Sequence, residues 1–358
     1  MLKILSFILF LLVTLQASFA KTVKVMSYNV ENLFDVEHDS GKEDYTFLPM
    51  NHPAKAPGCE TIKVEHYKKE CLETDWTADK LEIKLTQIEK VVKSTQSIPD
   101  ILALIEVENP NVVQKVQKRL GYKHLIMTNS PDARGIDVAV LFNPSPALAF
   151  VSTREIKLKT SQFGIRSATR NVLEVTFKLA GKPFFFYLNH WPSQQSGPGS
   201  RVSAAEQVMA VVKDKINAPD TRVMLVGDFN VTDTEKPNPI YDMLTKNTGL
   251  FDIAAQLTPA QRKKLPPGTY FYGWEWTWNF LDKIIVNENF LKSAPGINAK
   301  NFNIYAPQFM TRIYEGKNPD RPGFGQKAVV PWNYWHNAYT IERAGFSDHF
   351  PVTVEITL

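Results

Sequence analysis

The chain has 358 residues, a formal net charge of +4 at pH 7 and a pI of about 8.8, which admits a polyanionic partner without requiring one. Its only cysteines are Cys59 and Cys71, and with no CxxC, Cys cluster or HExxH motif nothing supports a zinc site.

Residues 1–20 read as a secretory signal peptide: Lys3 as n-region, Ile4 to Leu15 as h-region, and Ser18-Phe19-Ala20 before the cut. The apolar run is too short to span a bilayer comfortably. No Cys beside the cut offers a lipid attachment. From Lys21 onward no second long apolar run occurs, so export to the periplasm or medium is expected, without stable membrane insertion. No protein partner is legible, and a monomer is expected. In an exported chain, Cys59 and Cys71 pair most simply as one disulfide.

"TVKVMSYNVENLF" (22–34) reads as a strand that ends in polar residues. Residues 38–76 read as an irregular insertion holding both cysteines and three solvated histidines, His38, His52 and His66. Leu81, Leu85, Ile88 and Val92 recur at helical spacing, and "DILALIEVEN" (100–109) follows as a buried strand. Val112, Val113, Val116 and Leu120 mark a second helix, stopped at Gly121. "GIDVAVLFN" is a third strand, and "NVLEVTFKLAGKPFFFYLNHW" a hairpin turning at Gly181-Lys182. The helix "SRVSAAEQVMAVVKDKI" leads into the strand "VMLVGDFN", and "FLDKIIVN" and "HFPVTVEITL" are later strands. Residues 291–346 are rich in Pro, Gly and aromatics, with little periodicity. Without a repeat, a low-complexity tract or a linker, 21–358 reads as one domain of mixed strands and helices.

Strand after strand ends in an acid, an amide or a histidine: Asn29, Glu106, His190, then Asp228 with Asn230. Asp282 opens "DKIIV", and Asp348 and His349 precede the final strand. Each alone is an ordinary turn residue. Together they suit metal-assisted phosphodiester hydrolysis, in which hard oxygen ligands select Mg²⁺ or Mn²⁺, with Ca²⁺ also admitted, and imidazoles handle protons near neutral pH.

The set "SYNVENL", "LIEVEN", "NHWPSQ", "VGDFN", "FLDKI" and "SDHFPV", in that order, resembles the endonuclease/exonuclease/phosphatase superfamily, the group of deoxyribonuclease I. The resemblance spans nearly all of the chain after the signal peptide. It implies an α/β fold, a four-layer α/β/β/α sandwich of two packed mixed β-sheets with the site at one open end. It also implies Glu106, Asn29 and Asp348 as metal residues and Asp228 as the acid that readies water. Asn230 would touch the scissile phosphate, His349 would face it with Asp282 fixing its tautomer, and His190 would be a second histidine of the deoxyribonuclease type. Which histidine is acid and which is base stays open at this stage. Asp137 is a further candidate as partner of His190, and Arg134, Arg170 and Arg201 are candidates for holding phosphate.

The reading is an exported divalent-metal-dependent phosphodiesterase, an endonuclease acting on DNA, with RNA left open as a further substrate and nucleic acid as its partner. One rival is a sphingomyelinase-like or phosphomonoesterase activity on the same machinery, for which exposure of "KPFFFYL" is the discriminating feature. A second is a non-catalytic binding protein, disfavoured because the full polar set is present.

Overall fold

The computed structural model describes residues 21–159 and 169–358; the signal-peptide reading of 1–20 lies outside them. β1 (Thr22–Leu33) leads into the insertion, which holds α1 (Lys55–Glu60) and α2 (Glu65–Glu73). The Cys59–Cys71 disulfide, with Cα atoms 5.5 Å apart, joins the two helices. This segment is therefore more regular than its sequence suggests, because helices so short carry too few turns to show a period. α3 (Ala78–Lys93) follows, capped by the Thr77 hydroxyl, and buries Leu81, Leu85, Ile88 and Val92.

β2 (Ile101–Val107) precedes α4 (Pro110–Leu120), which starts on the Asn109 side chain and stops at Gly121 with φ +74°. β3 (His124–Met127), β4 (Asp137–Phe142), β5 (Leu148–Ile156), β6 (Val172–Leu179) and β7 (Lys182–His190) come next. The β6–β7 turn sits at Ala180-Gly181, one residue before the predicted place. Both turn residues have positive φ (+48° and +83°), as a two-residue hairpin turn matched to strand twist requires. α5 (Pro198–Ile216) leads into β8 (Arg222–Asp228).

Beyond it lie β9 (Leu250–Asp252), α6 (Pro259–Arg262), β10 (Tyr270–Tyr272), β11 (Thr277–Asn279), β12 (Asp282–Asn287) and α7 (Asn289–Lys292). β13 (Gly296–Ile297), β14 (Asn303–Ile304), β15 (Thr311–Glu315), β16 (Lys327–Pro331), α8 (Ile341–Ala344) and β17 (Val352–Thr357) complete the order. The aperiodic stretch 291–346 thus contains a β15–β16 hairpin, hidden in the sequence because its strands are short and face solvent.

One sheet runs β13-β17-β1-β2-β4-β3, with β14 also on β17, and the other runs β5-β6-β7-β8-β12-β9. Each holds a single parallel pair, β1/β2 in the first and β7/β8 in the second, among antiparallel neighbours. Period-two alternation sorts the second sheet's side chains. Phe184, Phe186, Leu188, Met224, Val226, Ile284 and Val286 face the first sheet. Tyr187, Val223, Leu225 and Ile285 face α5, with Ala204, Ala205, Val208, Val212 and Ile216. On the far side of the first sheet, Leu85, Ile88, Val112, Val113 and Val116 supply the helical layer. Helix, sheet, sheet, helix is the expected sandwich. Burying each of these branched side chains contributes about 1.5–3 kcal/mol.

"KPFFFYL" is therefore a central strand whose Phe184 and Phe186 are buried, not an exposed apolar hairpin. Among the described residues no helix is long and apolar enough to cross a membrane.

Candidate active site

β7, β8 and β12 end level with one another. Their register sets His190 beside Asp228 and Asp282 opposite it. The β7–β8 approach is closest at Gly227, where a Cβ would lie 2.0 Å from the Asn189 carbonyl oxygen and φ is +129°, so this position of "GDFN" accepts only glycine. The next turn holds the acid still. The Asn230 backbone N–H donates to Asp228 Oδ1 (2.8 Å), and its side-chain amide donates to Asp228 Oδ2 (3.2 Å) and to the Trp191 carbonyl (3.1 Å).

The first sheet presents Glu106 through an irregularity in β2 between Ile105 and Val107, with Glu106 itself at φ +65°. Asn29 joins the two sheets: its amide NH₂ donates to Glu106 Oε1 (3.0 Å) and to Asp228 Oδ2 (3.2 Å). The Asn29 oxygen accepts the Glu31 N–H at 3.0 Å, so Asn29 holds two carboxylates in place across the two sheets. Glu31, Glu106 and Asn230 are all non-glycine residues at positive φ, a conformation that costs about 1 kcal/mol or more each and persists where the surroundings enforce it.

The two histidines sit in opposite electrostatic settings. His349 Nδ1 is 2.7 Å from Asp282 Oδ2, and its Nε2 is 4.0 Å from both Asp228 Oδ2 and Asp348 Oδ1. Burial alone would lower its pKa, but the carboxylates of Asp282, Asp348 and Asp228 raise it well above the usual imidazole value. His190 Nε2 is 3.7 Å from Glu106 Oε1 and 3.9 Å from Asp228 Oδ2, while its buried Nδ1 has no partner among the described residues. Burial, reinforced by Arg170 and Arg134, lowers His190 well below the usual value. Asp137 is not its partner. That carboxylate instead accepts from the Thr128 hydroxyl (2.5 Å) and the Ser130 N–H (2.8 Å), fixing the turn before β4.

The acids crowd one another. Burial pushes Asp228 up to about 7, with Asp282 and Glu106 adding repulsion against the relief from His349. Asp348 rises to about 6, chiefly through desolvation. Glu106, His190 and Asp228 each offer a ligand atom, all within 4.8 Å of one another. Two carboxylates and one neutral imidazole form a mixed oxygen and nitrogen donor set that fits a divalent cation such as Mn²⁺, while the carboxylates alone, with waters, would suit Mg²⁺.

These groups floor a cleft of about 650 Å³. Arg134 is exposed on its wall, and Arg170, also on the wall, keeps Nε 3.3 Å from Asp132 Oδ2. Arg201 does not reach it. That side chain is buried, its Nε bonding both Glu235 oxygens (2.9 and 3.0 Å) and its Nη1 donating to the Ser193 carbonyl (2.7 Å), so it clamps the loop behind the cleft instead of meeting phosphate.

Two residues that support the site are not marked by the sequence pattern as site residues. Glu31 accepts the backbone N–H groups of Tyr334 (2.5 Å) and Asp348 (2.9 Å), tying the loop before β17 to β1. It lies two residues after Asn29, the same spacing as Asp228 and Asn230, and that was the available signal. Tyr270 packs its ring 5.0 Å from that of His349, and nothing in its sequence context marks it.

The profile of the endonuclease/exonuclease/phosphatase family matches residues 24–358. Among solved structures, the mannosyl-6-phosphatase of Bacteroides thetaiotaomicron is 18% identical, with a TM-score of 0.56 over 94% of this chain and 100% of that one. A Bacteroides thetaiotaomicron endonuclease/exonuclease/phosphatase family protein is 16% identical, with a TM-score of 0.52 over 94% of this chain and 98% of that one. The human Nocturnin catalytic domain with bound sulfate anion is 15% identical, with a TM-score of 0.54 over 93% of each chain. No curated protein matches significantly. With two face-packed mixed sheets, acids and imidazoles gathered where their parallel pairs end, and a profile match over almost every described residue, the chain belongs to the endonuclease/exonuclease/phosphatase family.

Proposed function

We propose that the protein is an exported, divalent-cation-dependent phosphodiesterase that cleaves nucleic-acid backbone, DNA first. The observation that carries this reading is the convergence of Glu106, His190 and Asp228, with ligand atoms all within 4.8 Å of one another, beside the His349–Asp282 pair and beneath two arginines. Asp228 as base and the proton-rich His349 as acid divide the proton work at a single pH.

Glu106, Asp228 and His190 would hold the cation, which when bound neutralises phosphate charge and makes water more acidic. Asp228, fixed by Asn230 and Asn29, accepts the proton of the attacking water. His349, its Nδ1–H turned to Asp282, presents Nε2–H to the leaving oxygen and donates to it. Arg134 and Arg170 offset the nonbridging charge from the wall. The burial of "KPFFFYL" supports a nucleic-acid substrate over a lipid one.

The test is to incubate the exported protein with plasmid, RNA, sphingomyelin vesicles and a phosphomonoester, with and without chelator. Plasmid cleavage that stops in chelator and returns with Mg²⁺ or Mn²⁺ is expected. Intact plasmid beside rapid turnover of the lipid or the phosphomonoester would reassign the substrate, and no turnover of any would leave a binding protein.

A further inference from the structure

The β10–β11 hairpin serves two surfaces. Along its strands Tyr270, Tyr272, Thr277 and Trp278 line the catalytic cleft. Its tip leaves the cleft and, with the β15–β16 hairpin, forms a second groove of about 600 Å³ lined by Trp274, Arg312, Tyr314, Lys317 and Arg321. The groove has a stiff floor: Phe271, Trp276 and Tyr314 pack with ring centroids 5.3–5.7 Å apart. At Gly273 a Cβ would fall 2.8 Å from the Tyr314 ring.

Trp274 is treated differently from these rings. It is 61% exposed, with the Arg321 guanidinium over its ring. Arg312, Lys317 and Arg321 form no ion pair among the described residues, whereas Glu315, the one acid lining the groove, is paired with Lys327 at 3.9 Å, leaving the groove net cationic. Arg321 Nη1 is buried and has no acceptor among the described residues. Unpaired cations beside an exposed indole, at the tip of a hairpin whose strands line the catalytic cleft, match the composition of a stacking platform with an electrostatic track.

We infer that this groove holds a single-stranded nucleic acid on one side of the scissile phosphate, with a base stacked near Trp274 and phosphates against Arg312, Lys317 and Arg321. The inference rests on the phosphodiesterase reading and names its substrate class. β10 is extended only as far as Tyr272 and residues 273–276 turn, so Trp274 lies just beyond the strand end, on the order of 7–10 Å along the hairpin from Tyr270. A lipid surface is the other occupant to consider, because Ile313, Phe324 and Val329 are 70%, 56% and 61% exposed. Ile313 lines the groove beside Arg312 and Tyr314, but its cross-strand partner Val329 and Phe324 lie outside the lining, so three cations and an indole dominate the groove and one aliphatic side chain joins them.

The experiment measures anisotropy of labelled single-stranded DNA of 2, 4, 8 and 12 nucleotides with the full protein in chelator, beside turnover of bis(p-nitrophenyl) phosphate with metal. Affinity should rise between 2 and 8 nucleotides. Trp274→Ala should weaken the 12-mer by about 5- to 100-fold, Trp274→Phe should recover most of it, and neither should alter turnover of the small diester. Arg312→Ala, Lys317→Ala and Arg321→Ala should each reduce the salt slope by about 0.7. Unchanged 12-mer binding in Trp274→Ala would overturn the inference, as would equal losses on both substrates, which mark a structural effect of the hairpin. Absent DNA binding with vesicle binding that depends on Ile313 and Val329 would assign the hairpin to lipid. Trp274-dependent binding without cleavage of any nucleic acid would keep the groove and remove the hydrolase reading; cleavage indifferent to Trp274 would do the reverse.

Discussion

Replacing Asp228 with Asn should make the cation-free protein more stable at pH 8 while abolishing its chemistry. The carboxyl is buried, and its ionisation is raised from 3.8 to about 7. A rise of that size corresponds to about 4 kcal/mol of penalty for carrying the charge in the folded state. The sign follows from the direction. Below about pH 4 the group is protonated whether folded or unfolded, and no penalty exists. As pH rises from about 4 to 7 the unfolded chain ionises and the folded one resists, so folding loses stability; above about 7 the penalty is constant. The amide introduced by Asp228→Asn cannot ionise; with its oxygen in the Oδ2 place it still accepts from the Asn29 and Asn230 side chains, but its NH₂ then faces the Asn230 backbone N–H, which loses its acceptor at a cost of about 1–3 kcal/mol. The variant should therefore be weaker than the parent by that amount near pH 4, gain about 4 kcal/mol on it as pH rises to 8, and end about 1–3 kcal/mol more stable. Urea denaturation in chelator at pH 4.5, 6 and 8 measures this. Adding Mn²⁺ should stabilise the parent at pH 8 and leave the variant almost unmoved. A stability difference independent of pH, or a variant weaker than the parent at pH 8, would refute the picture of Asp228 as an under-compensated acid awaiting a cation.

Asp282→Asn and His349→Ala should each lower turnover by about 10²–10⁴-fold. Asp282→Asn should also move the basic limb of the pH–rate profile to lower pH, because the carboxylate that raises His349 is gone and the imidazolium is lost earlier as pH rises. Arg201→Ala should cost about 3 kcal/mol or more by leaving Glu235 buried and unpaired, without changing the salt dependence of DNA binding, whereas Arg134→Ala should do the opposite; equilibrium denaturation and salt titrations separate them. Cys59→Ser with Cys71→Ser should destabilise by up to about 3 kcal/mol, as expected for opening a loop of separation 12, and should be read by local proteolysis of the α1–α2 segment as well as by global unfolding.

Long or strongly patterned elements were legible because period and burial coincide: α3, α4, α5, β2 and β8 lie where their apolar spacing puts them. The acids and imidazoles at strand ends were legible as a set because local spacing marks them one at a time. What a side chain reaches across space was not. Asp137 has the right type and place to orient His190, yet Thr128 and Ser130 claim it. Arg201 follows a site-bearing loop, but its burial against Glu235 depends on a contact made 34 residues later. The Asn29 bridge joins residues 199 apart, and only the docking of two sheets creates it. The division of charge between His190 and His349 has the same origin, since it rests on which carboxylates and guanidinium groups tertiary packing brings near each ring.

β1 and β17 are hydrogen-bonded neighbours, so Asn29 and His349 belong to one cleft although the ribosome joins them more than three hundred residues apart. Synthesis must pass residue 349 before Asp282 gains its imidazole and Glu31 gains the Asp348 N–H that anchors the closing loop. A nascent chain therefore carries Glu106 and Asp228 without His349, whatever local structure it has acquired. The order of synthesis thus sets when these acids and imidazoles can first stand together, and residue 349 is among the last to arrive.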